Sequence, residues 1–183
     1  LQAVEAASAS LPLAQAFVQS LQLYRALMPT VHAQALQHVP LLTMLFANDC
    51  AYLAHAAQTY AVRAAEMPSV YLSQKQTLES ALCTEAGLVR DAGQQWQVVQ
   101  LALQADALNE SLDGADGFVR TDDDARHEAC VRAVEQVCHI LAHLANVWSE
   151  VLSRAARSAA LSQLIDGVFD RVQREIEDIE DIS

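Results

Sequence analysis

Glycine and proline are scarce in this chain, with five and four among 183 residues. Without such breakers a loop-rich or strand-rich architecture is disfavoured, and the abundance of alanine, leucine, glutamine and glutamate points to long helices with few loops. Basic residues are scarce too: 11 Lys and Arg against 23 Asp and Glu leave a net charge of −12. Phosphate backbones and anionic lipid both need clustered cations, so neither nucleic acid nor a lipid surface is expected as a partner. A basic or neutral protein surface fits better. No apolar run reaches the ~20 residues that cross a bilayer, because Asn48 and Asp49 interrupt the strongest candidate. Direct membrane insertion is therefore not expected.

Other absences concern chemistry. Glycine-rich phosphate loops, a nucleophile elbow, paired redox cysteines and HExxH are all missing, so neither an enzyme nor a cofactor is expected. The four cysteines, Cys50, Cys83, Cys130 and Cys138, lack paired spacing and read as free, buried thiols in the reducing cytosol. The chain starts at Leu1 and lacks the pattern of a secretory signal, so it reads as a section of a longer protein.

What is present is helical periodicity, and 52% hydrophobic content is ample for a core. Ser10 and Pro12 read as a helix start, followed by Leu13, Phe17, Leu21, Tyr24 and Met28, with an end before Pro29. Thr30 is the expected cap of a second helix, bent at Pro40 and running to about residue 66. Its buried face is expected to carry Leu41, Leu42, Leu45, Phe46, Tyr52, Leu53 and Ala56. After a break at Met67, Pro68 and Ser69, one long helix or two consecutive ones fill residues 67–112, with Gly87 and Gly93 as weak points and Leu78, Leu82, Leu88, Trp96, Val99 and Leu103 on the apolar side.

Residues 113–121 read as a loop anchored by Phe118, and residues 122–183 as the last two helices. Thr121 is the expected cap, with Asp122, Asp123 and Asp124 facing the helix dipole. The first of these helices should present Val131, Val134, Val137, Cys138, Leu141, Leu144, Val147, Trp148 and Val151 as one seam. After a hinge at Ser153, the second should bury Leu161, Leu164, Ile165, Val168, Val172, Ile176 and Ile179, a seam that also suits a short coiled coil. The fold class expected is all-α, an elongated bundle of long antiparallel helices forming one section of a rod.

Three constellations invite chemical readings. His139 and His143, four apart on one helix face, can hold a metal only with a third ligand, and Glu135 suits a solvated face equally well. This makes a helical metalloenzyme a remote alternative. Cys50 and His55, five apart, diverge around a helix axis, which disfavours a nucleophilic pair. Asp113, Asp116, Asp122, Asp123 and Asp124 lack the alternation and terminal glutamate of a calcium loop. Capping explains them better. At the other end of the chain, Glu175, Glu177, Asp178, Glu180 and Asp181 oppose a helix C-terminal dipole, so they are expected to be solvated or to meet basic groups.

One set of residues goes further than composition. Leu36-Gln-x-x-Pro40, Asn48-Asp49-Cys50-x-Tyr52-Leu-Ala-His55, Ala133-Val-x-Gln-Val-x-x-x-Leu141, Val147-Trp148-x-x-Val-Leu152 and Glu180-Asp-Ile-Ser183 resemble the C-terminal half of the zeste-white ten family. The match is good over residues 36–55 and 130–152 and poor over 67–110, and it departs at Ser153, where relatives often carry proline. The resemblance implies a non-catalytic subunit of a helical-rod tethering complex for retrograde Golgi-to-endoplasmic-reticulum transport. It implies other tethering subunits as partners, especially a helical-solenoid subunit, and a cytoplasmic location peripheral to the endoplasmic reticulum membrane. In animals it also implies a kinetochore adaptor for checkpoint signalling and dynein recruitment, bound to a Rough Deal-like protein.

Overall fold

Proline does not stop the first helix. In the computed structural model, which describes the backbone of residues 2–64 and 72–179 and the side chains of 12–63 and 76–179, α1 runs over Gln2–Val31 with Pro12 and Pro29 inside it. Each proline removes one amide donor, a local loss that a long helix packed along one face can absorb. Thr30 therefore caps nothing; it lies within α1 and donates to the Ala26 carbonyl at 2.8 Å. The expected start at Ser10 and end before Pro29 are both corrected.

Two one-residue breaks follow, at His32 and at Val39. Helix α2 covers Ala33–His38 and α3 covers Pro40–Ala64, with Val39 extended between them. A residue before proline is pushed out of helical geometry, which explains why the interruption is one residue long and sits there. The Thr43 hydroxyl bridges the break by donating to the Leu36 carbonyl and, at 3.3 Å, to that of Val39. The break at Met67, Pro68 and Ser69 lies outside the described residues. Helix α4 then covers Leu72–Asp113, one helix rather than two consecutive ones.

The chain forms two compact units, Leu1–Gln97 and Val98–Ser183. In the first, Ala14, Val18 and Leu21 of α1 share a core with Phe46, Cys50, Ala54, Ala57 and Ala61 of α3 and Leu78, Leu82, Ala86 and Val89 of α4. Rings seal its edge: Phe17 meets Tyr60 and Tyr24 stacks on Phe46, each pair with centroids 5.8 Å apart. The inward face of α3 is thus only in part the one its large apolar residues suggest: Phe46 is buried and Leu53 packs against this core. Leu42, Leu45 and Tyr52 are exposed while Cys50, Ala54, Ala57 and Ala61 are buried, because small side chains let neighbouring helices approach closely. On α4, Leu88, Val99 and Leu103 are likewise exposed.

In the second unit, the end of α4 leads through a 3-10 turn at Asp116–Phe118 to α5 (Asp124–Ser149) and α6 (Arg154–Glu177). Asp116, Phe118 and Arg120 all take positive φ, which is costly for non-glycine residues. Phe118 packing against Ala115, Cys130 and Ala133 offsets that strain, as does an ion pair between Arg126 and Asp116. The cap of α5 is Asp123, which accepts the Ala125 amide at 2.8 Å, rather than Thr121. Its inward face is Cys130, Ala133, Val137, Leu144 and Trp148; Val131, Val134 and Cys138 point to solvent. Ser153 caps α6 by accepting from the Ala156 amide. All six α-helices fall in one class, and there is no strand among the described residues, so the fold is all-α.

Arg171 fastens α6 to the end of α4. It donates to the Asn109 carbonyl and to Asp113 Oδ1, both at 2.6 Å, and to Glu175 Oε1 at 2.8 Å. Its flat fork suits three acceptors in one plane better than a point-like ammonium would.

Candidate functional site

The residues that carry the family resemblance divide into an inward and an outward group. Leu36, Cys50 and Trp148 are buried, Val147 and Pro40 are half-buried, and Asn48, Tyr52 and His55 are exposed. The inward group shapes the core. Cys50 sits against Gly93 of α4, and Trp148 is fully enclosed at the end of α5. The outward group lines one face of α3, where Leu45, Asn48, Tyr52 and His55 recur at three- and four-residue steps. Tyr52 is 71% exposed there.

Asp49 lies between these groups. It interacts electrostatically with Tyr24 of α1, and each shifts the other's ionisation. Burial, reinforced by the Asp49 charge, pushes the Tyr24 phenol up to about 12. Burial also raises the Asp49 carboxyl, an effect the Tyr24 hydroxyl opposes. The Cys50 thiol is pushed up to about 12 by burial first and Asp49 second. A thiol held protonated is a poor nucleophile, and His55 is exposed while Cys50 is buried, so the two form no reactive pair.

The remaining candidates disperse. His139 and His143 are both exposed on α5, and no group of three or more His, Cys, Asp or Glu side chains converges among the described residues. The aspartates of residues 113–124 separate into tasks: Asp113 binds Arg171, Asp116 binds Arg126 and Asp123 caps α5. Among the acidic residues near the end, Glu175 meets Arg171 and Glu177 accepts from Gln173 at 2.7 Å, while Glu180 and Asp181 lie outside the described residues. Cys83 and Cys138 are exposed, against the expectation of four buried thiols.

Sequence reasoning missed the pair between Arg25 and the buried Glu85, joined at 2.8 Å. The two are 60 positions apart, and nothing local marks either one. It also missed Phe169, 68% exposed on α6; its spacing from Ile165 and Val172 was the available signal. Exposed apolar side chains thus stand on α1 (Leu23, Leu27, Val31), α3 and α6. No helix among the described residues is long and apolar enough to cross a membrane.

These features define an all-α protein with apolar side chains left on several outer helix faces and no assembled cluster of metal-binding type among the described residues. Residues 2–110 match the family described as "Centromere/kinetochore protein zw10, C-terminal", and residues 132–183 match "ZW10 C-terminal helical domain"; the chain belongs to the zw10 family. It is 30% identical over 88% of its length to a rat protein named "Centromere/kinetochore protein zw10 homolog" and 29% identical over 88% to the mouse protein of that name. An Arabidopsis thaliana protein of the same name is 24% identical over 90% of the chain. The chain spans about a fifth of these relatives, at 20%, 20% and 22% of their lengths. No solved structure matches it.

Proposed function

We propose that the chain is a non-catalytic, protein-binding section of a helical-rod subunit in a multisubunit tether serving retrograde Golgi-to-endoplasmic-reticulum transport. The observation that carries this reading is the outward face of α3, where family-motif residues Asn48, Tyr52 and His55 are exposed while their neighbours Cys50 and Ala54 hold the core. Motif residues turned to solvent on a rigid helix suit contact with another protein. The net charge of −12 favours a neutral or basic protein surface over lipid. The parent protein is then a cytoplasmic subunit, peripheral at the endoplasmic reticulum membrane, with a helical-solenoid sister subunit as its main partner.

The test uses the full-length parent protein. Tyr52→Ala together with His55→Ala is expected to weaken co-purification of the helical-solenoid subunit and to delay Golgi retrieval. Unchanged co-purification and retrieval overturn the reading. A second reading, a kinetochore adaptor bound to a Rough Deal-like protein, is favoured by the relatives' printed names. Depletion separates the two: loss of mitotic arrest under spindle poisons with normal Golgi retrieval supports the adaptor alone.

A further inference from the structure

Helix α6 has two apolar faces. Ala160 and Leu164 are buried in the second unit, and the half-buried Val168 and Arg171 continue that packing side toward the helix end. One position round the helix, Ile165, Phe169, Val172 and Ile176 recur at steps of four, three and four, the spacing of a coiled-coil seam, and Ile179 follows just beyond the helix end. Of the residues expected to be buried, Ile165 and Val172 are half-buried and Ile176 is 45% exposed, which corrects that expectation at Ile176; Phe169, beside them, is 68% exposed. An open apolar groove lies along it, lined by Phe169, Val172, Ile176 and the stems of Gln173 and Glu177.

The rim of that groove is acidic. Asp166, Asp170 and Glu177 are exposed on the flank facing away from the packing side. Two cations lie nearby: Arg171 is engaged with Asp113 and Glu175, and Arg174, whose Nε donates to the Asp170 carbonyl at 3.0 Å, offsets one of the three charges and leaves the row net acidic. A shallow polar groove lined by Asp170, Gln173, Arg174 and Glu177 adjoins the apolar one.

We propose that this seam of α6 is a docking site for an amphipathic helix of a partner protein, with apolar residues at coiled-coil spacing and Lys or Arg on the flank that meets Asp166, Asp170 and Glu177. Charge selects this occupant. A second copy of the chain paired antiparallel about a two-fold axis sets one acidic row against the other, and like charges at such positions repel. Anionic lipid meets the same repulsion. A basic-flanked helix buries the stripe and neutralises the row together, which is how seam and flanking charges jointly choose partners in coiled coils. The site is a finer statement of the scaffold role above.

The experiment titrates the 183-residue chain with a synthetic helix of roughly four heptads carrying Leu in the seam and Lys on the flanks, beside a twin with Glu on the flanks. Binding of the Lys peptide and not the Glu peptide is expected. Phe169→Asp and Ile176→Asp should each weaken it about tenfold or more, whereas Val62→Ala, at an exposed position of α3, should leave it unchanged. Asp170→Asn with Glu177→Gln keeps the apolar row and should weaken binding several-fold while flattening its salt dependence. Because both positions are on the surface, this pair keeps the test decisive if an aspartate in the seam disturbs folding, which circular dichroism reports. Equal binding of both peptides, or binding insensitive to the Phe169 and Asp170/Glu177 changes, overturns the proposal. So does a Phe169-dependent dimer in sedimentation, or Phe169-dependent capture by phosphatidylserine vesicles. Peptide binding that survives while the parent protein fails to recruit any tethering subunit overturns the scaffold role and leaves this site standing.

Discussion

Gly93 of α4 lies so close to Cys50 of α3 that a methyl group built on it would stand 2.6 Å from the Cys50 Cβ and 3.2 Å from the Ala47 carbonyl oxygen. Neither neighbour is the flexible end of a long side chain. The two helices touch through their backbones at this point, and glycine is what allows it.

The two glycines of α4 should therefore respond with opposite sign. Gly93→Ala is expected to destabilise the first unit by about 1–3 kcal/mol, as overpacking does, despite a helix-propensity gain of about 1 kcal/mol. Gly87→Ala, with nothing within 4 Å of the added carbon, should stabilise by about 0.5–1 kcal/mol. Urea unfolding of both variants checks the contrast, and Cys50→Gly should restore part of the Gly93→Ala loss.

Arg171→Lys is expected to cost about 1–2 kcal/mol, since an ammonium cannot span the Asn109 carbonyl, Asp113 and Glu175 at once. In a Trp96→Phe background, Trp148 is the remaining tryptophan and its fluorescence follows the second unit. An unchanged denaturation midpoint would show that the three bonds add nothing.

The α5 cap offers a direct comparison of neighbours. Asp123→Ala should lose about 1 kcal/mol because the Ala125 amide loses its acceptor. Thr121→Ala should stay within about 0.5 kcal/mol, as an exposed substitution away from a cap. Thermal unfolding of the two single variants, measured side by side, distinguishes the capping residue.

Alkali should weaken the first unit. The Cys50 thiol, ordinarily at 9.0, and the Tyr24 phenol, ordinarily at 10.0, are each pushed up to about 12 in the folded chain. The unfolded chain releases these protons earlier than the folded one, so their stabilisation is whole below pH 9.0 and is lost as pH rises toward 12. The urea midpoint should fall across that window, and Cys50→Ala should make the fall shallower. At about pH 8 a thiol reagent should label the exposed Cys83 and Cys138 promptly and the buried Cys50 and Cys130 only on unfolding.

Composition and periodicity were enough for the all-α class, because scarce breakers and repeated three- and four-residue spacing are local properties of the chain. Family motifs were readable for the same reason, as short strings in order. Helix ends were harder to read. Pro12 and Pro29 suggest helix boundaries, yet a single missing amide is a small loss beside the packing of a long face, whereas the helix does break at Val39 before Pro40.

Which side of a helix faces inward was decided only in three dimensions. On α3 Leu42, Leu45 and Tyr52 are larger than Cys50, Ala54 and Ala57, yet the small residues are buried and these three are exposed, because the fit of a small side chain depends on how near a second helix comes. The same holds for the bonds of Arg171 to Asn109 and Asp113 and for Glu85 beneath Arg25, which join residues 58 to 62 positions apart. Sequence alone determined that helices form and which family motifs they carry. Tertiary packing decided which apolar stripes were used up in the core and which, as on α6, remained available, since burial belongs to pairs of surfaces and not to one helix.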